Sequence, residues 1–173
     1  MLRKQLLGGL GAACAILVVM LIWAFQAHIP SAPPPADDPA SRLAYATRWL
    51  VLPGLTLVAG IFAASRRGFF ADAIEGTRTP ANHNLEIALR YNQNTVEQLI
   101  LAGIAWLALS VTLPHERLPL IAIMAVLFVI GRVTFWVGYV LHPMGRTFGM
   151  TLTVIPTLAA YGWLTWRGFG QGF

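Results

Sequence analysis

Apolar runs alternate with short polar connections along the whole chain, and each run is about as long as a membrane crossing. Five such segments can be drawn, at residues 6–25, 43–64, 98–113, 118–141 and 148–166. The third reaches the ~20 residues of a crossing only when it is extended back through the polar residues before it. The pattern predicts an all-α integral membrane protein with five spanning helices.

Composition supports the same class of protein. Of the 173 residues, 57% are hydrophobic and 11% are charged, whereas a soluble domain carries about 25% charged residues. The net charge of +5 comes from basic residues scattered along helices and loop ends, which favours cytoplasmic anchoring over nucleic-acid binding. The single cysteine, Cys14, excludes a disulfide framework, and the four histidines lack the spacing of metal ligands. We therefore expect no metal site.

A proline-rich stretch between the first two apolar segments divides the chain. Because proline repeats favour extended conformations, we predict three parts: an N-terminal transmembrane anchor at 1–27, an external linker at 28–42 and a four-span unit at 43–173. The basic start also fits a secretory signal. The length of the first apolar run and its poor cleavage site favour a retained anchor.

The distribution of basic residues predicts an orientation. Arg3 and Lys4 place the N-terminus in the cytoplasm, and Arg66 and Arg67 return the connection after the second span to the same side. The C-terminus is then external, with which Arg167 mildly disagrees. We predict residence in an inner membrane of the bacterial type.

A polar stripe leads into the third apolar segment. Arg90, Asn94 and Glu97 stand at positions i, i+4 and i+7, so they share one face of a helix. Charged groups next to a hydrocarbon segment are costly and usually mark a function or a buried pair. The stripe therefore needs partners from neighbouring helices.

The fourth span offers one such partner. The short turn at 114–116 predicts that the third and fourth spans are antiparallel neighbours. Glu97 lies about 18 residues before this turn and Arg132 about 17 after it, so both are roughly 26 Å from it. We predict a structural ion pair between Glu97 and Arg132. Arg90 and Tyr139 likewise lie at nearly equal distances from the turn, nearer the cytoplasm.

The fourth span has its own polar stripe, because Arg132, Tyr139 and Arg146 recur every seven residues. They share a face if the helix continues through Pro143; if proline ends the helix, Arg146 opens the next one. The polar groups of the two stripes exceed what one glutamate can neutralise. This excess favours a ligand site in a cytoplasm-facing cleft over side chains that merely extend to the interface.

The motif Arg90-x-x-x-Asn94-x-x-Glu97, followed by an apolar span, resembles the second-helix signature of the MAPEG family, membrane-associated proteins in eicosanoid and glutathione metabolism. The basic stretch 65–69 resembles the end of that family's first helix. The resemblance covers about residues 41–167, which is the whole four-span unit.

Downstream residues extend the resemblance and also depart from it. The surroundings of Arg132, Tyr139 and Arg146 resemble the family's third helix and the start of its fourth. Gln93 stands where some of its enzymes have an arginine, and Phe135 where some have a tyrosine or histidine. The N-terminal span and the linker are additions to the family pattern.

The resemblance implies a four-helix membrane bundle that assembles as a homotrimer, here with one extra N-terminal helix, and glutathione bound between adjacent subunits near the cytoplasmic side. It implies six site residues: Arg67, Arg90, Asn94 and Glu97 around the carboxylates and amine of glutathione, Tyr139 along the site, and Arg146 at the sulfur. Guanidinium groups suit carboxylates because they form two parallel hydrogen bonds.

The function implied is that of a microsomal glutathione transferase-like enzyme. Glutathione would be the co-substrate, its thiolate stabilised by Arg146, and a lipophilic small molecule would arrive through the membrane lipid. The alternative is a non-catalytic protein of the same fold that binds a lipid or a protein partner, which Gln93 and Phe135 favour because each removes a polar ligand. A transporter is disfavoured, since the sequence shows neither a repeat nor a broken helix.

Overall fold

The structure is a computed structural model that describes residues 2–29, 32–71, 73–74 and 82–171. It contains five α-helices: α1 (Leu2–Phe25), α2 (Pro39–Ser65), α3 (His83–Thr112), α4 (Pro119–Leu141) and α5 (Arg146–Gln171). Short 3-10 turns follow α1 and α2 and precede α4. The described residues form no strand, so the all-α prediction is confirmed.

Four helical stretches are long and apolar enough to cross a membrane, at Gln5–Phe25, Pro39–Phe69, His83–Thr112 and His115–Leu141. They match the first four predicted spans. The fifth predicted span lies in α5, whose 26 residues give sufficient length but which includes threonines and glycines that lower its hydropathy. The protein is an integral membrane protein built as a helical bundle.

Side-chain caps explain where two of the helices begin. Asp38 accepts a hydrogen bond from the Ser41 amide at 2.9 Å and starts α2, so the last residues of the predicted linker already belong to this helix. Asn82 accepts from the Leu85 amide at 3.0 Å and starts α3. Both contacts satisfy backbone donors that a helix terminus leaves unpaired.

The connection between α4 and α5 decides between the two alternatives for Pro143. Helix α4 ends at Leu141, and the His142 amide still donates to Gly138 within the helix. Pro143 lies in the connection, and Arg146 is the first residue of α5. The stripe of the fourth span is therefore divided between two helices.

The helices pack pairwise around three interior clusters of apolar side chains. Helix α3 lies along α2 and also contacts α4, as the predicted hairpin requires. Trp106 of α3 meets Phe128 of α4 edge to face, with ring centroids 6.2 Å apart. Helix α1 packs against α5 through Ala15, Val19 and Leu152. The α3–α4 pairing predicted from the short turn is thus confirmed.

Helices α4 and α5 approach so closely that a Cβ atom would not fit between them. A Cβ on Gly149 would overlap the Phe135 amide nitrogen and the Gly131 carbonyl oxygen. A Cβ on Gly138 would overlap the backbone of Gly145. This close contact fixes the start of α5 against the last three turns of α4.

Arg42, the last residue of the predicted linker, connects the start of α2 to the end of α3. Arg42 forms an ion pair with Asp37 and donates to the carbonyls of Leu113 at 3.0 Å and Ser110 at 3.3 Å. His115 Nδ1 lies 3.5 Å from Asp37 Oδ1. A cation bonded to the last carbonyls of a helix satisfies acceptors that otherwise lack partners.

Removing residues 1–40 is expected to leave helices α2–α5 assembled. Helix α1 contacts them mainly through apolar side chains, and lipid tails are as apolar as the residues they would replace. The loss of the Asp37–Arg42 pair, whose carboxylate is exposed, is expected to cost at most about 1 kcal/mol. The loss of the Asp38 cap of α2 is expected to cost about 1 kcal/mol more. Circular dichroism per residue and size-exclusion chromatography in detergent would measure the outcome, and loss of all folded protein would contradict it.

Candidate functional site

The six predicted site residues lie towards one end of the bundle, which we call the basic end. It consists of the turn after α2, the first half of α3, the last turn of α4 and the start of α5. Arg90, in the second turn of α3, is exposed and pairs with Glu86, with Nε and Oε1 2.8 Å apart. Arg67 lies in the 3-10 turn after α2, where its Nε donates to the Ala73 carbonyl at 3.2 Å. Arg67 is therefore engaged locally rather than with α3.

The polar stripe of α3 lies on the outside of the single chain. Arg90 and Glu97 are exposed and Asn94 is half-buried. Glu97 accepts a hydrogen bond from Gln93 at 2.9 Å. A groove of about 590 Å³ between α3 and α5, nearer the other end, contains none of the predicted site residues. The stripe is thus an open polar face on a membrane helix.

Arg132 is completely buried, with 0% of its surface exposed. One terminal nitrogen donates to Asn94 Oδ1 at 2.7 Å and the other to Thr153 Oγ1 at 2.8 Å. The guanidinium carbon lies 4.7 Å from the ring centroid of Phe135 and 5.6 Å from that of Phe128. Neutral groups and aromatic faces surround this cation.

The predicted Glu97–Arg132 ion pair is not formed within the chain, and this prediction is corrected here. The depth estimate was sound, because Arg132 meets a residue only three positions from Glu97. The rotation of α3 differs from the one assumed: it directs Asn94 towards Arg132 and leaves Glu97 exposed. Residues three apart on a helix diverge by about 60° around its axis, which is enough to exchange one partner for the other.

Arg146 and Tyr139 come together across the break between α4 and α5. The Arg146 guanidinium carbon lies 4.6 Å from the Tyr139 ring centroid, within the distance of a cation–π contact. Tyr139 is 9% exposed and packs edge to face on Phe135 at 5.8 Å. Tyr91 of α3 continues the cluster, 5.9 Å from Phe135. An aromatic wall from two helices therefore supports the cation at the start of α5.

Sequence reasoning missed two partners in this region. Glu86 pairs with Arg90 at a spacing of four residues, and this spacing on a helix was a readable signal. Thr153 binds Arg132 from α5. A threonine in an apolar helix carries no comparable signal, because its hydroxyl can always bond to its own helix.

Histidine, cysteine, aspartate and glutamate do not cluster in threes among the described residues, so that part of the chain holds no candidate metal centre. The basic end carries a set of arginines, the side-chain amides of Gln93 and Asn94, the carboxylates of Glu86 and Glu97, and aromatic rings. This chemistry suits an anionic or zwitterionic organic ligand better than a metal ion.

The fold and this polar face define a helical membrane protein with several arginines at one end. The model of the MAPEG family matches residues 43–166, and the chain belongs to that family. The match covers most of α2, all of α3 and α4, and most of α5, and it leaves α1 outside.

Two known proteins are similar to the chain over most of its length. It is 28% identical over 151 residues to transmembrane protein 79 of Mus musculus and 29% identical over 151 residues to that of Bos taurus. In both cases the alignment covers 87% of this chain and 38% of the relative. The chain thus spans well under half the length of these relatives. No solved structure matches it significantly.

Proposed function

We propose that the basic end binds glutathione and that Arg146 stabilises its thiolate for reaction with a lipophilic electrophile. The observation that carries this proposal is the open polar face of α3, on which Arg90, Asn94 and Glu97 line up on a membrane helix of a MAPEG-family chain. Charged groups at such a position need a counterpart. A ligand with both carboxylates and an ammonium group would supply it.

The charged groups of the basic end fit this ligand. Glutathione carries two carboxylates and one ammonium group, and arginine binds a carboxylate through two parallel hydrogen bonds. Arg90 retains its terminal nitrogens, because only its Nε bonds to Glu86. Glu97 is available for the ammonium group, since its partner in the chain is the neutral amide of Gln93 rather than a cation. Arg67 is the second candidate for a carboxylate.

Arg146 is the candidate activating group. A free thiol has a pKa of about 8.5, and a cation within ~4–6 Å lowers it by roughly one to three units. Once the thiol proton has passed to water, the sulfur attacks the electrophilic carbon, forms the new C–S bond and displaces the leaving group. With a hydroperoxide the sulfur attacks the terminal oxygen instead; the O–O bond breaks, the alkoxide takes a proton and leaves as the alcohol, and the sulfur becomes a sulfenic acid. The thiol of a second glutathione then attacks this sulfur, and glutathione disulfide and water are released.

The same open face supports assembly as a homotrimer. Arg90 and Glu97 would face acyl chains if the chain stayed alone in the bilayer, and such exposure is unfavourable. A second copy laid against α3 would cover them and complete the wall of the site. We also propose that the basic end faces the cytoplasm, in agreement with the positions of Arg66 and Arg67.

A second candidate function is binding of a lipid or protein partner without catalysis. Gln93 and Phe135 favour it, because neither supplies the charge or polar ligand found at the matching positions of some MAPEG enzymes. Phe135 is 2% exposed and packs against Arg132 and Tyr139, so it acts as part of the interior rather than as a ligand.

Titration with glutathione at neutral pH separates the two functions. We expect a saturable ultraviolet difference band of the thiolate, because a cation that lowers the thiol pKa by one to three units from about 8.5 increases the ionised fraction at pH 7 roughly 8- to 30-fold. S-methylglutathione is the matched control: it should compete for the site and give no band. Binding without a band would indicate recognition without activation, and absence of binding would favour the lipid or partner-binding function.

A further inference from the structure

We propose that Arg132 and Thr153 form a buried clamp that fixes the Asn94 amide as a hydrogen-bond donor, so that the site accepts at Asn94 only an acceptor group of the ligand, a carboxylate or carbonyl oxygen. This inference rests on the proposed function, because it specifies how glutathione would be recognised. It concerns two residues that do not themselves touch the ligand.

The orientation of the Asn94 side chain follows from its partner. Arg132 carries only N–H donors and no acceptor, and one of its terminal nitrogens lies 2.7 Å from Asn94 Oδ1. Turning the amide around would place its NH₂ group against another donor. The oxygen therefore faces the interior, and Nδ2 is left for the other side.

Nothing in the described part of the chain accepts a hydrogen bond from Asn94 Nδ2. The side chain is half-buried and lies between the exposed Arg90 and Glu97 on the open face. A donor kept at such a place selects an oxygen acceptor and disfavours the ammonium group, which has only N–H donors itself. The ammonium group would go to Glu97, one turn further along.

Thr153 keeps Arg132 in this position. Its hydroxyl oxygen accepts from the second terminal nitrogen at 2.8 Å, and its own proton is directed to the Met150 carbonyl at 2.9 Å. The guanidinium is thus held from α5 on one side and by Asn94 on the other. The Phe135 ring, 4.7 Å away, closes its face.

The charge of Arg132 adds to the selection. It is fully buried, and none of the ion pairs among the described residues includes it. An anion hydrogen-bonded to Asn94 Nδ2 would lie on the far side of one amide group from this cation. Such a hydrogen bond is stronger for a charged acceptor than for a neutral one.

The test compares Asn94→Asp with Asn84→Asp by glutathione binding and by thermal unfolding of the ligand-free protein. Asn94→Asp removes the donor, repels a carboxylate and gives Arg132 a counter-ion. We expect glutathione affinity to fall roughly 10- to 100-fold, while the unfolding temperature stays the same or rises. Asn84→Asp makes the same chemical change at an exposed position in the first turn of α3 and should leave affinity unchanged.

Variants at Thr153 provide a second binding test, which does not depend on whether Asn94→Asp folds. Thr153→Val removes the acceptor at nearly constant volume and should weaken binding about 3- to 10-fold, whereas Thr153→Ser keeps the hydroxyl and should restore it. Full glutathione affinity in Asn94→Asp, or equal losses in the valine and serine variants, would overturn the clamp. Failure of the unchanged protein to bind glutathione would instead overturn the proposed function on which the clamp rests.

Discussion

Arg146→Ala is expected to remove the thiolate of bound glutathione while leaving the fold intact. The guanidinium of Arg146, 4.6 Å from the Tyr139 ring centroid, is the candidate cation at the sulfur. Without it the thiol pKa should return by about one to three units to its free value near 8.5, so the ionised fraction at pH 7 falls roughly 8- to 30-fold. The difference band and kcat/KM for an electrophile should decrease together, while glutathione binding persists.

Three further variants separate charge from structure in this experiment. Arg146→Lys keeps the charge and should retain part of the band, although a lysine lacks the planar guanidinium that stacks on a ring. Tyr139→Phe keeps the aromatic face under the cation and should therefore retain the band. Arg66→Ala removes one exposed positive charge from the same end of the bundle and should leave the band unchanged. Normal ionisation in Arg146→Ala would transfer the activating role to another cation, with Arg90 the first to test.

Gly149→Ala is expected to be strongly destabilising. The added Cβ would overlap backbone atoms of Phe135 and Gly131, which cannot turn aside as a side chain can. Helices α4 and α5 would have to separate, at a cost of about 3 kcal/mol. Thermal unfolding in detergent should show a fall of roughly 6–12 °C for a chain of this length. The separation would also move Arg146, three residues earlier, away from Tyr139.

Gly162→Ala is the matched control on the same helix. No atom outside the local backbone lies within 4 Å of its added Cβ, so the methyl group meets open space. Alanine is favoured over glycine in a helix interior by up to about 1 kcal/mol, and this variant should be as stable as the unchanged protein or slightly more so. Equal stability of the two alanine variants would show that α4 and α5 do not meet at Gly149.

The amino-acid sequence by itself determined the local features of this protein. Apolar segments long enough to span a membrane predict the helices, and the short turn between α3 and α4 predicts that these two form a hairpin. The spacing of Arg90, Asn94 and Glu97 gave one face of α3. These features were predictable because helical periodicity and crossing length depend on residues close together in sequence.

The tertiary structure alone decided which side chain meets Arg132. Tyr91 packs against Gly60 of α2, where an added Cβ would lie 3.0 Å from the ring, and its hydroxyl donates to the Thr56 carbonyl at 3.3 Å. This α2–α3 contact contributes to setting the rotation of α3, and Asn94 rather than Glu97 then points inward. The depth of Arg132 in the bundle could be predicted by counting residues along the chain. The residue of α3 that bonds to it could not be predicted, because rotation about a helix axis depends on packing between residues distant in sequence.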